Sequence, residues 1–136
     1  MKPMARVQYD ERLAQHPLLE NCSRRQLAML SRHATPLHLP KGKRLMTQGG
    51  FGSEFVMLET GTASVSIDGE RVAELSDGDF CGEMALLEGE YTRSADVIAE
   101  TEMDVFVLDP RGFHQMMEEV PLAAERIRTT AEARRN

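Results

Sequence analysis

Between Gly78 and Ala95 the residue types fit the capture of a small anion. The stretch runs Gly78-Asp79-Phe80-Cys81-Gly82-Glu83-Met84-Ala85-Leu86-Leu87, then Glu88-Gly89-Glu90-Tyr91-Thr92, then Arg93-Ser94-Ala95. Gly82 has no Cβ and lets backbone approach a ligand closely. Glu83 to Leu87 are good helix formers, and one short helical turn there aims its free N–H groups at negative charge. Arg93 returns on the next strand with a planar fork of donors suited to phosphate. Ser94 adds a small hydroxyl, and Ala95 begins the apolar strand that holds Arg93 in place. The same residues also suit a β-bulge loop with a solvated arginine, and residue types alone do not separate the two readings.

A cradle of this kind needs a rigid frame. From about Leu37 to Asp109 short apolar runs alternate with glycines: Leu45-Met46, Phe55 to Leu58, Ala63 to Ile67, Val72 to Leu75, Ala95 to Ala99 and Val105 to Leu108. Asp68-Gly69 is a two-residue hairpin signal, because a type I′ turn needs positive φ at both positions. Short strands at a spacing of roughly 8–12 residues, with no long helical pattern between them, predict an antiparallel sandwich or jelly roll. On the N-terminal side, Ser23 and Gln26 form a capping-box pattern ahead of Leu27 and Leu30, and Pro36 and Pro40 close the helical stretch. On the C-terminal side, Asp109 can cap and Pro110 suits a first helical position. Phe113, Met116, Met117 and Val120 follow at helical spacing; a core-facing stripe accounts for the two methionines. Pro121 interrupts, and Leu122 to Asn136 reads as a second short helix with Leu122, Ala123 and Ile127 on one face. The expected fold is mainly β with flanking helices, an α+β antiparallel β-roll. One domain over residues 1–136 is expected, with the roll at about 36–109 and helices at about 10–34 and 110–134.

The cradle residues resemble the phosphate-binding cassette of cyclic-nucleotide-binding domains, the family of the bacterial catabolite activator protein and protein kinase A regulatory subunits. Its pattern, G-E-x-A-L-L, a short loop and then arginine, a small residue and alanine, is met by Gly82 to Leu87 and Arg93-Ser94-Ala95. The likeness extends upstream through Gly42, Leu45, Gln48-Gly49, Phe55 to Leu58, Gly61, Val65, Asp68-Gly69 and Gly78-Asp79-Phe80, covering most of residues 16 to 120. It implies a ligand-binding set of Gly82, Glu83, Met84, Ala85, Arg93 and Ser94. By resemblance, Arg93 pairs with the cyclic phosphate, the backbone N–H groups of Gly82 to Ala85 and Ser94 complete that contact, and Glu83 accepts from the ribose 2′-hydroxyl. Ser94 followed by Ala95, with no threonine, points to cAMP, with cGMP as the other candidate. Three departures stand out. Gly50 replaces a usual acidic residue, and Cys81 replaces a larger apolar one, as a buried filler. The polar stretch Thr129 to Asn136 suggests an abbreviated lid over the base.

The resemblance makes the chain a regulatory sensor whose C-terminal helices switch with ligand and signal to an unknown effector protein or domain. Other classes fit less well. The formal net charge of −6 opposes a non-specific hold on nucleic acid, though not one local anion site. A helix-turn-helix would need residues beyond Asn136, so no direct DNA binding is expected of this chain. A regulatory half of a transcription regulator, or a degenerate roll serving as an interaction module, are the alternatives. His16, His33, His38 and His114 show no H-x-H pattern, so no metal is expected. No histidine stands near Cys81 to activate it, so no enzyme is expected either. Arg126, Arg128, Arg134 and Arg135 read as a solvated helix end that complements its dipole. There is no transmembrane run and no secretory signal over Met1 to Asp10, and Cys22 and Cys81 form no C-x-x-C pair. A cytoplasmic protein without a membrane partner is expected.

Overall fold

In the computed structural model, which describes residues 10–135, the N-terminal region is three short pieces where one helix was expected over 10–34. They are α1 (Glu11–Ala14), a 3-10 turn (Pro17–Leu19) and α2 (Arg24–Ser31). His16 precedes a proline and is held extended at ψ 134°, since the α region is disfavoured there. Asn21, at φ 67°, then turns the chain into the cap of α2. The capping box forms as read: Ser23 Oγ accepts from the Gln26 amide at 3.1 Å, and Gln26 Oε1 accepts from the Ser23 amide at 2.8 Å. The stretch Met1 to Asp10, in which no secretory signal is read, lies almost wholly outside the described residues.

Eight strands follow: β1 (Ala34–Leu39), β2 (Arg44–Met46), β3 (Phe55–Thr60), β4 (Ala63–Ile67), β5 (Glu70–Leu75), β6 (Phe80–Cys81), β7 (Asp96–Ala99) and β8 (Met103–Leu108). They form two antiparallel four-stranded sheets, ordered β1-β8-β3-β6 and β2-β7-β4-β5. The roll therefore starts at Ala34, and Pro36 lies inside a strand instead of ending a helix. It is tolerated because β1 is an edge strand, where a missing N–H breaks no ladder on the open side. The Asp68-Gly69 turn joins β4 to β5 with φ of 55° and 80°, as a type I′ hairpin requires.

The continuous apolar run of β3 has a simple cause, since successive side chains point to opposite faces and both faces are covered. Val56 and Leu58 pack between the sheets with Val97, Ala99, Met103 and Val105. Phe55 and Met57 face the helices with Phe106, Leu108, Phe113 and Ile127. The Phe55 ring lies 5.0 Å from that of Phe113 and 5.4 Å from that of Phe80, within the spacing that aromatic pairs favour.

Three further helices complete the chain: α3 (Glu83–Glu88), α4 (Pro110–Glu119) and α5 (Pro121–Arg135). Asp109 caps α4 by accepting from the Gly112 amide at 2.7 Å. Phe113, Met116 and Val120 are buried as the periodicity predicted, whereas Leu122 is only half-buried and Ala123, Ala124, Ile127 and Ala131 carry the buried face of α5. No described helix is long and apolar enough to cross a membrane.

His16 fastens the N-terminal pieces to the turn before β6. Its Nδ1 accepts from the Leu18 amide at 3.2 Å, which leaves Nε2 to donate to the Asp79 carbonyl at 3.2 Å. The Nδ1 bond needs the neutral ring, since a protonated Nδ1 cannot accept, and burial holds His16 below its ordinary value near 6.5. The unfolded chain therefore binds this proton at a higher pH than the folded one. The contribution of His16 is complete above about pH 6.5 and is lost as pH falls below that. His38 acts in the opposite sense. Asp104 at 2.9 Å and Glu102 at 2.8 Å raise its value, so its contribution is present at low pH and lost as pH rises. Thermal midpoints measured from pH 7.5 to 5 are expected to fall less steeply in His16→Gln than in the wild type; equal slopes would show that His16 protonates freely in the fold.

Candidate functional site

Six residues read from the sequence as one site, Gly82, Glu83, Met84, Ala85, Arg93 and Ser94, all line a single cavity of about 550 Å³. That volume falls within the range of about 300–1,000 Å³ common for small-ligand sites. The floor is the β6–α3 junction. Gly82 stands at the N-cap of α3 with φ 96° and provides no side-chain cap, so no side chain closes off the first-turn amides. One wall is the outer sheet, where Ile67 (37% exposed) and Val72 (54% exposed) line the cavity mouth. They are two of the four large apolar side chains exposed among the described residues. This apolar wall faces the polar floor, an arrangement suited to a ligand with one charged and one flat apolar end.

Arg93 does not sit on a strand, as the sequence suggested, but in the irregular segment just before β7. It is held there by pairing with the glycine loop: its amide donates to the Gly50 carbonyl at 2.8 Å, and its carbonyl accepts from the Gly49 amide at 2.8 Å. The guanidinium lies between two glycines. A Cβ on Gly52 would come within 2.7 Å of Arg93 Cζ, and one on Gly82 within 3.2 Å of Nη1. Arg93 is only 7% exposed, and its Nη1 is buried without a hydrogen-bond partner. Burial pulls the guanidinium below its ordinary value, while Cys81, Glu54 and Glu83 oppose that shift. A buried cationic donor left unpaired is costly, and an anion in the cavity would give it an acceptor.

Cys81 is buried, and burial with the neighbouring Glu83 pushes its thiol up to about 12. It keeps its proton at neutral pH and acts as apolar filler. The histidines lie elsewhere: His16 under the N-terminal turn, His33 3.3 Å from Asp109, and His38 between Glu102 and Asp104. Among the described residues no three His, Cys, Asp or Glu side chains are grouped to hold a metal.

The C-terminal arginines correct another expectation. Three of the four, Arg126, Arg134 and Arg135, tie α5 to the rest of the molecule, while Arg128 stays exposed. Arg126 donates to the Pro17 carbonyl and to Glu20, Arg135 to Glu88, and Arg134 to Glu83 at 2.7 Å and to the Phe80 carbonyl at 2.9 Å. Glu83 itself is 1% exposed. Ala133 and Arg134 form part of the cavity wall, so the polar C-terminal stretch read as an abbreviated lid reaches the site. No local signal marks Arg134, which meets its partner 51 residues away in sequence. Gly52, one of the glycines that alternate with the short apolar runs, carries no sequence signal of its contact with Arg93.

A family model described as a cyclic nucleotide-binding domain matches residues 36–120. The chain is 39% identical over 116 residues to glutaminase 1 of Bradyrhizobium diazoefficiens, covering 85% of this chain and 19% of that protein. It is 34% identical over 113 residues to the cAMP-dependent protein kinase regulatory subunit of Eremothecium gossypii, covering 82% of this chain and 24% of that one. The chain thus spans about a quarter or less of the length of these relatives. In fold it is similar to the regulatory domain of Toxoplasma gondii PKA solved with cAMP, with a TM-score of 0.76, 24% identity, and 91% and 49% of the two chains covered.

Proposed function

We propose, because this chain belongs to the cyclic nucleotide-binding domain family, that it is a regulatory sensor which holds cAMP behind Arg93 and performs no chemistry on it. The observation that carries this reading is the buried, unpartnered Nη1 of Arg93, set in a cavity with uncapped amides on its floor and apolar side chains at its mouth. In this assignment Arg93 and the first-turn amides of α3 hold the cyclic phosphate, with Ser94 beside them. Glu83 accepts from the ribose 2′-hydroxyl, and the base lies along Ile67 and Val72. The Toxoplasma gondii regulatory domain solved with cAMP and the sequence Ser94-Ala95 favour cAMP over cGMP.

The output is a shift of α4 and α5 against the roll, passed to an effector. Support comes from α5 itself, which contributes Ala133 and Arg134 to the cavity wall and pairs Arg135 with Glu88 of α3 at 3.3 Å. A ligand drives such a shift only through its different affinities for the two arrangements. A cytoplasmic place of action fits the two free thiols, Cys22 and Cys81, since disulfides are rare in reducing compartments.

Calorimetric titration with cAMP and cGMP tests the binding. Saturable binding of cAMP, tighter than that of cGMP, is expected, together with slower amide exchange over residues 110–135 when cAMP is added. Absence of heat with both nucleotides in a folded sample would overturn the sensor reading. Binding with unchanged exchange would leave a passive holder and remove the switch.

A further inference from the structure

The tip of the β4–β5 hairpin overhangs the rest of its sheet. β4 pairs with β7 only as far as Ser66, opposite Asp96, and β5 is an edge strand. The register between β4 and β5 slips between Val65 and Ser66, which leaves Val72 as the extra residue of a bulge. Bulges re-aim a side chain, and Val72 lines the cavity mouth beside Ile67. Both apolar side chains of the proposed base wall therefore stand where the hairpin has only its own two arms for backbone partners.

Gln48 fastens this tip. Its Oε1 accepts from the Asp68 amide at 2.7 Å, and its Nε2 donates to Asp68 Oδ1 at 3.0 Å. Among the described residues, both side-chain hydrogen bonds to residues 67–70 come from this one amide group. Its orientation is fixed, because the reverse would set donor against donor and acceptor against acceptor. The backbone of Gln48 is held in turn. Its amide donates to Asp96 Oδ1 at 2.8 Å, and the next residue, Gly49, donates to the Arg93 carbonyl at 2.8 Å. Gln48 thus joins the segment that carries Arg93 to the hairpin that carries Ile67 and Val72.

We infer that Gln48 is a positioning residue for the base: by clamping Asp68 it sets the wall of Ile67 and Val72 relative to the Arg93 guanidinium. A base can then lie on the wall while its phosphate stays on the arginine. The inference rests on the assignment of the phosphate to Arg93 and of the base to that wall. It goes beyond that assignment in making the preference for a large base depend on a residue that does not line the cavity and acts only through Asp68.

The test compares titrations with cAMP and with cCMP, whose one-ring base covers less of the wall while phosphate and ribose are the same. Wild type is expected to prefer cAMP. Gln48→Glu is nearly isosteric but sets a second carboxylate against Asp68. It is expected to weaken cAMP about fivefold, the scale of one ordinary hydrogen bond, and cCMP by less than about twofold, so that the preference shrinks. Combining Gln48→Glu with Asp68→Asn exchanges donor and acceptor and is expected to restore the preference, since asparagine tolerates the φ of 55° at this position. Asp68→Gly keeps the turn and the amide contact but loses Oδ1, and is expected to fall between wild type and Gln48→Glu. Thermal midpoints show which variants are folded, and should Gln48→Glu lose its fold, Asp68→Gly carries the same comparison. Equal weakening of both nucleotides overturns the proposal, because the loop would then act through the phosphate arm alone. So does an unchanged preference, in Gln48→Glu or from a wild type that binds the two equally, and so does a double variant that fails to recover it. If wild type binds neither nucleotide, the sensor reading itself fails, an outcome distinct from these.

Discussion

Replacing Arg93 with alanine is expected to weaken cAMP binding by at least about a hundredfold while leaving the thermal midpoint of the ligand-free chain unchanged or slightly raised. The first half follows from the donors removed. Hydrogen bonds to a charged group contribute about 1.5–3 kcal/mol each, so two of them supply roughly half of the ~8 kcal/mol behind a micromolar complex. The second half follows from what the side chain does without ligand. Its Nη1 is buried and unpartnered, so removing it removes an unsatisfied donor and a desolvated cation. The backbone pairing of residue 93 with Gly49 and Gly50 uses no side-chain atom and survives the change. The space left behind opens into a cavity that already exists. Calorimetry and a thermal scan on the same sample read both halves. Near-normal affinity in Arg93→Ala would sink the phosphate assignment, and a large fall in the midpoint would show that the guanidinium is structural.

Alanine at Gly52 and at Gly82 is expected to separate binding from stability. At Gly52 the new Cβ would fall 2.7 Å from Arg93 Cζ and 2.8 Å from Nη2. The obstruction is the movable end of a side chain, and no left-handed backbone is required there, so the fold yields by swinging the guanidinium aside. Gly52→Ala is therefore expected to keep its midpoint and to bind cAMP about tenfold or more weakly, the scale of one charge-assisted hydrogen bond lost. At Gly82 the chain is at φ 96°, and a Cβ would meet the Glu54 carbonyl oxygen at 2.5 Å. Neither can yield cheaply: the left-handed conformation costs a non-glycine residue roughly 1–2 kcal/mol, and the obstruction is backbone. Gly82→Ala is expected to lower both midpoint and affinity. Full affinity in Gly52→Ala would mean that the guanidinium position seen here is not the one that binds.

Much of the frame was readable from residues close together in the chain. The Ser23–Gln26 capping box, the Asp109 cap ahead of Pro110, and the Asp68-Gly69 turn each depend on groups within three or four residues, and each appears where the local pattern placed it. The same holds for the short helix over Glu83–Glu88, whereas the grouping of Gly82, Glu83, Met84, Ala85, Arg93 and Ser94, which line one cavity, came from the family resemblance and not from local pattern. The strands with regular apolar texture were legible too. Two were not: β6 has only two residues and shows no period, and β1 carries a proline that only its place at a sheet edge makes harmless.

What no local pattern could reveal are the contacts that depend on where distant segments end up. Whether Arg134 points to solvent or to Glu83 is decided by how α5 crosses the roll, after α4 has fixed its starting point. Whether Gly52 is loop punctuation or the floor beneath a guanidinium depends on the loop at Gly49 and Gly50 pairing with residue 93. Local conformation follows from the sterics and hydrogen-bonding capacity of neighbouring residues, which the order of amino acids states directly. The partner of a long side chain follows from the path of the whole chain, and the packing that sets that path is shared among many apolar residues, none of which names it alone.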